Sequence, residues 1–295
     1  MSQPSRPYRM ARAAYRFLKY DLLLGMALLP YGRARQRALL NRADRSDSHT
    51  YTSFYRSPLQ LDALVGPVLA HFERRGITSP SMLLFAGSIG AEAYTIASEL
   101  KFRRPDLTLR IRASDLHPHT VARAHDASYS RQEVHQSTTV PEAFLQRTFD
   151  QMGDRFVVKP EIRAMVSFEQ ADLLSPRLAE QFAPADIVFA QNVLFHMPPA
   201  LARTAFAAIA RLLRPGSVLF IDGMELDMRV ELAAAHQLIP LDYKVKAIYQ
   251  YSRQHIPTRW WRYYYGNEPY VPFAKNRLAR YGTIFVSRSA PHESL

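Results

Sequence analysis

The 295-residue sequence contains no cysteine, and this absence excludes several kinds of chemistry. Without thiols the chain forms no disulfide, no thiolate metal site and no cysteine nucleophile, which fits a reducing compartment. Long apolar runs are also missing, since Leu22 to Leu29 falls short of the roughly 20 residues that a membrane span needs. That run lacks a suitable cleavage site, so we expect no targeting segment, no transmembrane helix and a cytoplasmic location.

Acidic residues are few, with 26 Asp and Glu against 38 Lys and Arg, and the net charge is +12. Such an excess favours acidic partners, namely a nucleic acid, an anionic membrane surface, or an acidic protein or small molecule. An arginine-rich proteome produces the same composition, so the charge alone does not select a partner. The hydrophobic content of 47% is sufficient for a full core in one large domain.

Residues 1–48 form a basic arm in which arginines alternate with aromatic residues. The pattern suits contact with phosphates or lipid headgroups, and it equally suits an amphipathic helix packed on the domain. We favour the packed helix, so nucleic acid is a possible partner but not the preferred one. The remainder, residues 49–295, is predicted to be one domain with an aromatic and basic insertion at 252–280.

Strand-like and helical segments alternate from Ser81 to Ile221, which predicts an α/β fold with a mostly parallel sheet. A helix is expected around residues 141–152. Beyond Ile221, the pattern predicts a helix at 232–238 and two final strands at 243–251 and 283–286.

The stretch from Ser81 to Leu100 combines a short apolar strand, a turn containing Gly87 and Gly90, and a helix with Ile96, Ala97 and Leu100 on one face. This arrangement brings backbone N–H groups and a helix N-terminus up to a bound cofactor. The same stretch is close to the G-x-S-x-G elbow of serine hydrolases, with Ser88 as the nucleophile. That reading is less favoured because the hydrolase elbow follows several strands rather than the first.

Polar residues follow the next predicted strands, where ligands of a parallel sheet bind. They are Asp115, Asp172 and Asn192. An acidic residue one strand beyond a glycine loop suits the two hydroxyls of a ribose. The segment carries no further Gly-x-x-Gly, no Gly-Lys-Thr and no pyrophosphate fingerprint, so a nucleoside cofactor such as S-adenosylmethionine is favoured over a dinucleotide.

Six ordered motifs between residue 50 and about residue 225 together resemble the chemotaxis-type protein-glutamate methyltransferases, the CheR family. They are Thr50-Tyr51-Thr52-Ser53-Phe54-Tyr55-Arg56, Ser88-Ile89-Gly90-Ala91-Glu92-Ala93-Tyr94-Thr95, Ala113-Ser114-Asp115-Leu116, Val158-Lys159-Pro160-Glu161-Ile162-Arg163 with Asp172-Leu173-Leu174, residues 186–196, and Leu213-Arg214-Pro215-Gly216.

This resemblance implies a class I methyltransferase fold, Rossmann-like, with a mostly parallel seven-stranded sheet and helices on both faces. It implies S-adenosylmethionine as cofactor and S-adenosylhomocysteine as product. The cofactor-binding positions that it implies are Thr52, Arg56, Gly87, Gly90, Glu92, Asp115, Asp172, Leu173, Asn192 and Val193. Asp115 would hold the ribose and Asp172 the adenine amino group, while Glu92 and Asn192 would place the methionine end. His196 and Arg56 are the catalytic candidates, and no metal site is expected.

The sequence departs from the family pattern at Thr50, Ala86, Gln191 and His196, where the family has Asn, Gly, Arg and Tyr. Because cofactor-side motifs are kept while substrate-side positions change, the acceptor stays open. It is acidic or electron-rich: a protein carboxylate, or an oxygen or nitrogen of a small molecule. A non-catalytic basic binding module on the same fold is the alternative function.

Four of the candidate residues also have a purely structural explanation. Asp115 would cap the following helix, and the negative charge of Glu92 would stabilise the N-terminus of its own helix through the helix dipole. Asn192 would be a turn residue and His196 an ordinary helix-entry residue. His117-Pro118-His119 resembles a metal-binding pair, but it has no third ligand and is interpreted as a loop. The cluster from Trp260 to Tyr265 would be either core under a long loop or a wall of the acceptor pocket.

Overall fold

The computed structural model describes residues 52–135, 140–256 and 268–288, together with the isolated positions 29, 31, 32, 34 and 38. Most of the basic arm, Thr50, and the aromatic cluster from Trp260 to Tyr265 therefore lie outside the described residues. The predictions made for those segments stay predictions.

A seven-stranded sheet lies at the centre of the described part of the chain, in the order β6-β2-β1-β7-β8-β10-β9. β10 is antiparallel to both of its neighbours, and the other pairings are parallel. The predicted α/β class with a mostly parallel sheet is confirmed. The strands are β1 (Met82–Phe85), β2 (Ile111–Asp115), β6 (Val166–Gln170), β7 (Ala185–Gln191), β8 (Leu213–Asp222), β9 (Leu238–Pro240) and β10 (Ile284–Ser287).

Helices cover both faces of this sheet, so its central strands are buried on both sides. All seven residues of β7 are buried, as expected for a parallel strand between two helical layers. The helices are α1 (Pro58–Ala63), a π-helical turn (Leu64–Val68), α2 (Leu69–Glu73), α3 (Ala91–Arg103), α4 (Pro118–Asp126), α5 (Arg131–Val134), α6 (Glu142–Thr148), α7 (Pro160–Arg163), α8 (Leu178–Gln181), a 3₁₀ turn (Leu194–His196), α9 (Pro199–Ala210), α10 (Leu226–Ala235), α11 (Val245–Gln254) and α12 (Arg277–Tyr281).

The two faces of the sheet form separate hydrophobic cores because side chains alternate along each strand. On β1, Leu84 packs into the core shared with α1, α2 and α3. Its neighbours Leu83 and Phe85 pack into the core shared with α8, α9 and α10. The strand therefore packs against both helical layers.

Helix α3 is buried on all sides from Ala91 to Leu100, although one apolar face was predicted. Its polar residues are paired inside the protein: the Ser98 and Thr148 hydroxyls are 2.6 Å apart, and Glu99 forms an ion pair with Arg147. These partners belong to α6, which packs against α3. Contacts with α6 and with the core of the sheet therefore hold α3 in place, and its N-terminus lies at the site.

A second, three-stranded antiparallel sheet was not predicted and follows α4 in the chain. Its order is β3-β5-β4, with β3 at Ser128–Ser130, β4 at Phe149–Met152 and β5 at Arg155–Val158. The helix expected at residues 141–152 was wrong in its second half, because α6 ends at Thr148 and the chain continues as β4. The Phe149 ring packs edge-on against Phe54, with centroids 5.1 Å apart, which draws this segment onto the core.

The strand predicted at residues 243–251 was wrong, since α11 occupies that segment. Its buried residues Val245, Ile248 and Tyr249 have helical spacing, but their β-branched and aromatic side chains suggested a strand. The helix predicted at 232–238 lies earlier, at Leu226–Ala235. The strand that follows it in the chain is the three-residue β9, at the edge of the sheet. The final strand was predicted correctly.

Across the residues that the structure describes, none of the helices has the length and apolar character needed to cross a bilayer.

Candidate cofactor-binding site

The glycine loop connects the carboxyl end of β1 to the N-terminus of α3. Gly90 is the N-cap of α3 with φ +92°, and a Cβ there would meet Phe168, Tyr94 and Ala124 at 3.0 to 3.2 Å. Only glycine fits this position without strain. The N–H of Gly87 donates to the Ser114 carbonyl at 2.9 Å, so the loop is held against the end of β2.

Asp115 joins the glycine loop to the end of the neighbouring strand. Its Oδ2 accepts a hydrogen bond from the backbone N–H of Ser88 at 2.8 Å. Its Oδ1 accepts from the His117 N–H at 3.1 Å and from the Thr120 hydroxyl at 2.8 Å. Asp115 is not the N-cap of the following helix, which is His117, and that helix has no side-chain cap hydrogen bond. One carboxylate oxygen instead binds the segment that leads into α4, and the other binds the glycine loop. The residue is buried, at 8% exposure.

Three separate segments meet at the Glu92 side chain, in the first turn of α3. Arg56 forms an ion pair with it, and the Gln191 amide donates to Oε1 at 2.9 Å. Burial raises the pKa of the Glu92 carboxyl, while Arg56 and the Gln191 hydrogen bond oppose that rise. The Arg56–Glu92–Gln191 network thus holds a buried carboxylate at the edge of the sheet where β7 ends.

Four of the eight non-glycine residues with positive φ values in the described part of the chain belong to segments at this edge. They are Tyr55 (55°), Ala86 (55°), Ser88 (50°) and Asn192 (52°). Left-handed conformations of such residues persist where the surrounding structure enforces them, and they cluster at functional sites.

Asn192 follows β7 directly, and its N–H donates to the Asp222 carbonyl at 3.1 Å. Gly223, after β8, faces it so closely that a Cβ would lie 2.9 Å from the Asn192 Cα. The backbone of Asn192, with φ 52°, has a conformation typical of a turn residue. Val193, the next residue, is buried against the core beneath the edge.

The remaining predicted residues surround the same edge at different depths. Asp172 is exposed after β6, where its Oδ1 accepts from the Leu174 N–H at 2.8 Å. Leu173 is buried beside it. Thr52 is 5% exposed at the beginning of the described segment. His196 ends the 3₁₀ turn after Asn192, half-buried, with its ring 3.9 Å from that of Phe195.

Ser88 is poorly placed for a hydrolase nucleophile. The residue is 5% exposed, and its backbone N–H is already bonded to Asp115. A nucleophile elbow instead presents its hydroxyl above the sheet. Among the described residues, no cluster of three or more His, Asp or Glu side chains has metal-binding geometry, and His117 and His119 lie beside each other without further ligands.

Sequence reasoning missed Asp222, at the carboxyl end of β8. Its Oδ1 accepts from Arg229 at 3.1 Å, and its Oδ2 accepts from the Ser252 hydroxyl at 2.5 Å. Ser252 begins the predicted insertion, so Asp222 ties that end of it to the edge where β7 and β8 end. An acidic residue directly after an apolar run was the available signal, the same one that identified Asp115.

A small pocket lies beside the Arg56–Glu92–Gln191 network, lined by residues of α1, α3, β7 and β8. Three buried polar atoms of its lining have no hydrogen-bond partner: Ser53 Oγ, Arg56 Nε and Gln60 Oε1. Buried polar atoms are nearly always paired, so these atoms fit a polar ligand. Together with the Asp115 carboxylate, the residues present fit a nucleoside that carries a charged amino-acid group.

The sequence profile described as "CheR methyltransferase, SAM binding domain" matches residues 50–239, well over half of the chain. The chain belongs to this family. S-adenosylmethionine is therefore the cofactor of this CheR-type domain, and the class I fold predicted from the motifs agrees with the observed sheet order. Family membership supports neither the hydrolase nor the non-catalytic binding module.

Two curated relatives carry related names. The "Probable biofilm formation methyltransferase WspC" of Pseudomonas putida is 30% identical over 179 residues, which cover 59% of this chain and 41% of that protein. The "Chemotaxis protein methyltransferase" of Listeria monocytogenes is 28% identical over 174 residues, covering 59% of this chain and 64% of that protein. The CheR-type chain thus spans less than two thirds of the length of each.

The CheR-type chain is also similar to the solved structure of magnesium protoporphyrin IX methyltransferase (ChlM) from Synechocystis PCC 6803 with bound SAM. The two are 14% identical, with a TM-score of 0.38, over 82% of this chain and 90% of that chain.

Proposed function

We propose that this chain transfers the methyl group of S-adenosylmethionine to an electron-rich acceptor at the carboxyl edge of β1, β2 and β7. The observation that carries the proposal is the Arg56–Glu92–Gln191 network. It places a buried carboxylate, one strand away from Asp115, on the edge where the glycine loop turns.

Each group of this edge has a separate task in binding. The Asp115 carboxylate accepts hydrogen bonds from the ribose hydroxyls, and Asp172 accepts from the adenine amino group. Glu92 attracts the ammonium of the methionine end, with Asn192 beside it. Thr52, Leu173 and Val193 shape the walls, while Gly87 and Gly90 allow close approach of the backbone.

When bound, the cofactor supplies a methyl group on a positively charged sulfur, which is already an excellent leaving group. The protein therefore contributes mainly orientation, by holding donor and acceptor in line. The buried ion pair of Arg56 with Glu92 serves this purpose, since it fixes the loop before α1 against the start of α3. We assign Arg56 to positioning Glu92.

We propose an acceptor with a titratable proton, a hydroxyl or an amine, on a protein or a small molecule. A carboxylate is ionised at neutral pH and needs no general base, whereas these acceptors benefit from one. His196 lies on the same edge, and histidine is the side chain most often used as a general base. Support comes from its position after Asn192, where the family pattern has tyrosine. The cytoplasmic location stays a prediction.

Calorimetric titration of the full chain with S-adenosylmethionine and S-adenosylhomocysteine tests this function. Both are expected to bind, while NAD and ATP, which carry phosphates that the glycine loop is not built to hold, are expected not to bind. Absence of binding by both adenosyl compounds from a folded chain would contradict the proposed function.

A further inference from the structure

The pocket beside Glu92 has both apolar and polar lining residues. The apolar ones come from α1, the π-helical turn, α3, β7 and β8, namely Leu61, Leu64, Ile96, Phe189 and Phe220. The polar ones include Ser53, Arg56, Gln60, Glu92 and Gln191. The pocket therefore contains the Arg56–Glu92–Gln191 network together with further polar side chains.

Gln60 is the unusual residue of this lining, because it is a polar side chain placed among leucines of a helix that packs on the core. It is 4% exposed, and its Nε2 donates to the Thr283 hydroxyl at 2.8 Å. Its Oε1 is buried without a partner. An unpaired amide oxygen destabilises a folded protein, and a leucine at this position would avoid that cost. The glutamine therefore points to a ligand.

The unpaired atoms of the pocket include both donors and an acceptor: Gln60 Oε1 accepts, the Arg56 Nε–H donates and the Ser53 hydroxyl is able to donate. The Glu92 carboxylate beside them is already bonded to Arg56 and Gln191, but its oxygens are able to accept a further hydrogen bond. A ligand that satisfies all four carries an ammonium and a carboxylate close together. This is the chemistry of an α-amino-acid group.

We propose that Gln60 and Ser53 bind the amino-acid end of S-adenosylmethionine, Gln60 through an ammonium hydrogen bond and Ser53 through the carboxylate. The inference rests on the proposed function and adds two binding residues to it. An amino-acid group on the acceptor has the same chemistry, so the test compares ligands that differ only in the amino-acid end of the cofactor.

The experiment is calorimetric titration of the full chain with S-adenosylhomocysteine and with 5′-methylthioadenosine, which lacks the amino-acid end. Gln60→Met is expected to weaken S-adenosylhomocysteine binding about tenfold, the loss typical of one hydrogen bond to a charged group. It should leave 5′-methylthioadenosine binding unchanged. Gln60→Glu, which keeps the oxygen, should bind S-adenosylhomocysteine at least as well as the wild type.

Thr283→Val is the matched control, because it removes the other hydrogen-bond partner of Gln60 but leaves Oε1 in the pocket. Its affinity for S-adenosylhomocysteine should stay within about twofold of the wild type. If Gln60→Met does not fold, Ser53→Ala removes only one hydroxyl and is expected to show the same selective loss.

Several outcomes overturn the inference. Equal binding of S-adenosylhomocysteine by Gln60→Met and the wild type would remove Gln60 from the site while leaving the cofactor assignment intact. An equal loss for both ligands would show a general distortion, and a loss in Gln60→Glu would show that the oxygen does not face the ammonium. A wild-type chain that binds neither compound would end the proposed function as well.

Discussion

The Gln191 side-chain amide donates a hydrogen bond to the Glu92 carboxylate at 2.9 Å, across 99 positions of the chain. It joins the carboxyl end of β7 to the first turn of α3. Because Glu92 is buried, this hydrogen bond is one of the two contacts that stabilise its ionised form, and Arg56 provides the other.

Removing the Gln191 amide should therefore weaken cofactor binding. Gln191→Leu leaves the carboxylate with fewer donors, which raises the pKa of Glu92 further and reduces its charge at neutral pH. We expect S-adenosylhomocysteine affinity to fall about tenfold, measured by calorimetry. Gln181→Leu is the matched control, since Gln181 also donates to a glutamate, Glu169, but on an exposed surface. Unchanged affinity in Gln191→Leu would contradict a role for the network in binding.

Stability should depend on pH through Glu92. Burial raises the pKa of Glu92 above its ordinary value of 4.5. The folded state then holds the proton more tightly than the unfolded state, so stability is lost as the pH rises through the folded-state pKa.

Glu92→Gln should accordingly melt at a higher temperature than the wild type at about pH 8, and this advantage should disappear at about pH 4. Melting curves across this range measure the difference. Glu161→Gln, at an exposed position, is the control and should change stability by less than about 0.5 kcal/mol. A stability gain in Glu92→Gln that did not depend on pH would mean that ionisation of Glu92 is not its cause.

Asp115→Ala should weaken S-adenosylhomocysteine binding by about 2 to 4 kcal/mol, because two charge-assisted hydrogen bonds to the ribose are lost. The variant also leaves the Ser88 N–H without its acceptor, so a lower melting temperature is expected as well. Asp154→Ala, at an exposed turn, is the control for calorimetry. If a folded Asp115→Ala chain kept its affinity, the ribose assignment would be wrong.

Ala86→Gly should stabilise the protein by up to about 1 kcal/mol, since Ala86 has φ 55° and glycine adopts this conformation without strain. Ala208→Gly, in the interior of α9, is the control and should lower the free energy of unfolding by about 1 kcal/mol. Thermal unfolding of both variants shows whether the two substitutions change stability in opposite directions. Destabilisation by Ala86→Gly would show that loop rigidity outweighs backbone strain at this position.

His196→Phe should slow methyl transfer and remove the pH dependence of the rate between about pH 5 and pH 8, because the proposed general base is lost. Its S-adenosylhomocysteine affinity should stay close to that of the wild type, which separates a role in the reaction from one in binding. Rates with an identified acceptor provide the measurement. A wild-type rate that is flat over this range and unaffected by the substitution would exclude His196 as the base.

Local patterns in the sequence were sufficient to predict the parts of the site that are close together along the chain. The apolar run of β1, the turn at Gly87 and Gly90 and the helix after it follow from propensity and spacing. Asp115 was identified as a strand-end carboxylate for the same reason. Parallel strands place their carboxyl ends on one edge, so the meeting of these residues was also predictable.

The tertiary structure alone decided which distant residues meet. Glu92 contacts Arg56, 36 positions away, and Gln191, 99 positions away. Gln60 reaches Thr283 across 223 positions. The spacing of apolar residues along the sequence does not predict such pairs, because they depend on how α1 and α3 pack on the sheet. The incorrect strand at residues 243–251 has a different origin, because the helical spacing of Val245, Ile248 and Tyr249 was present in the sequence and their β-branched and aromatic character was given more weight. The structure adds the contact of Tyr249 with Tyr281, 4.8 Å between ring centroids, which the sequence does not contain.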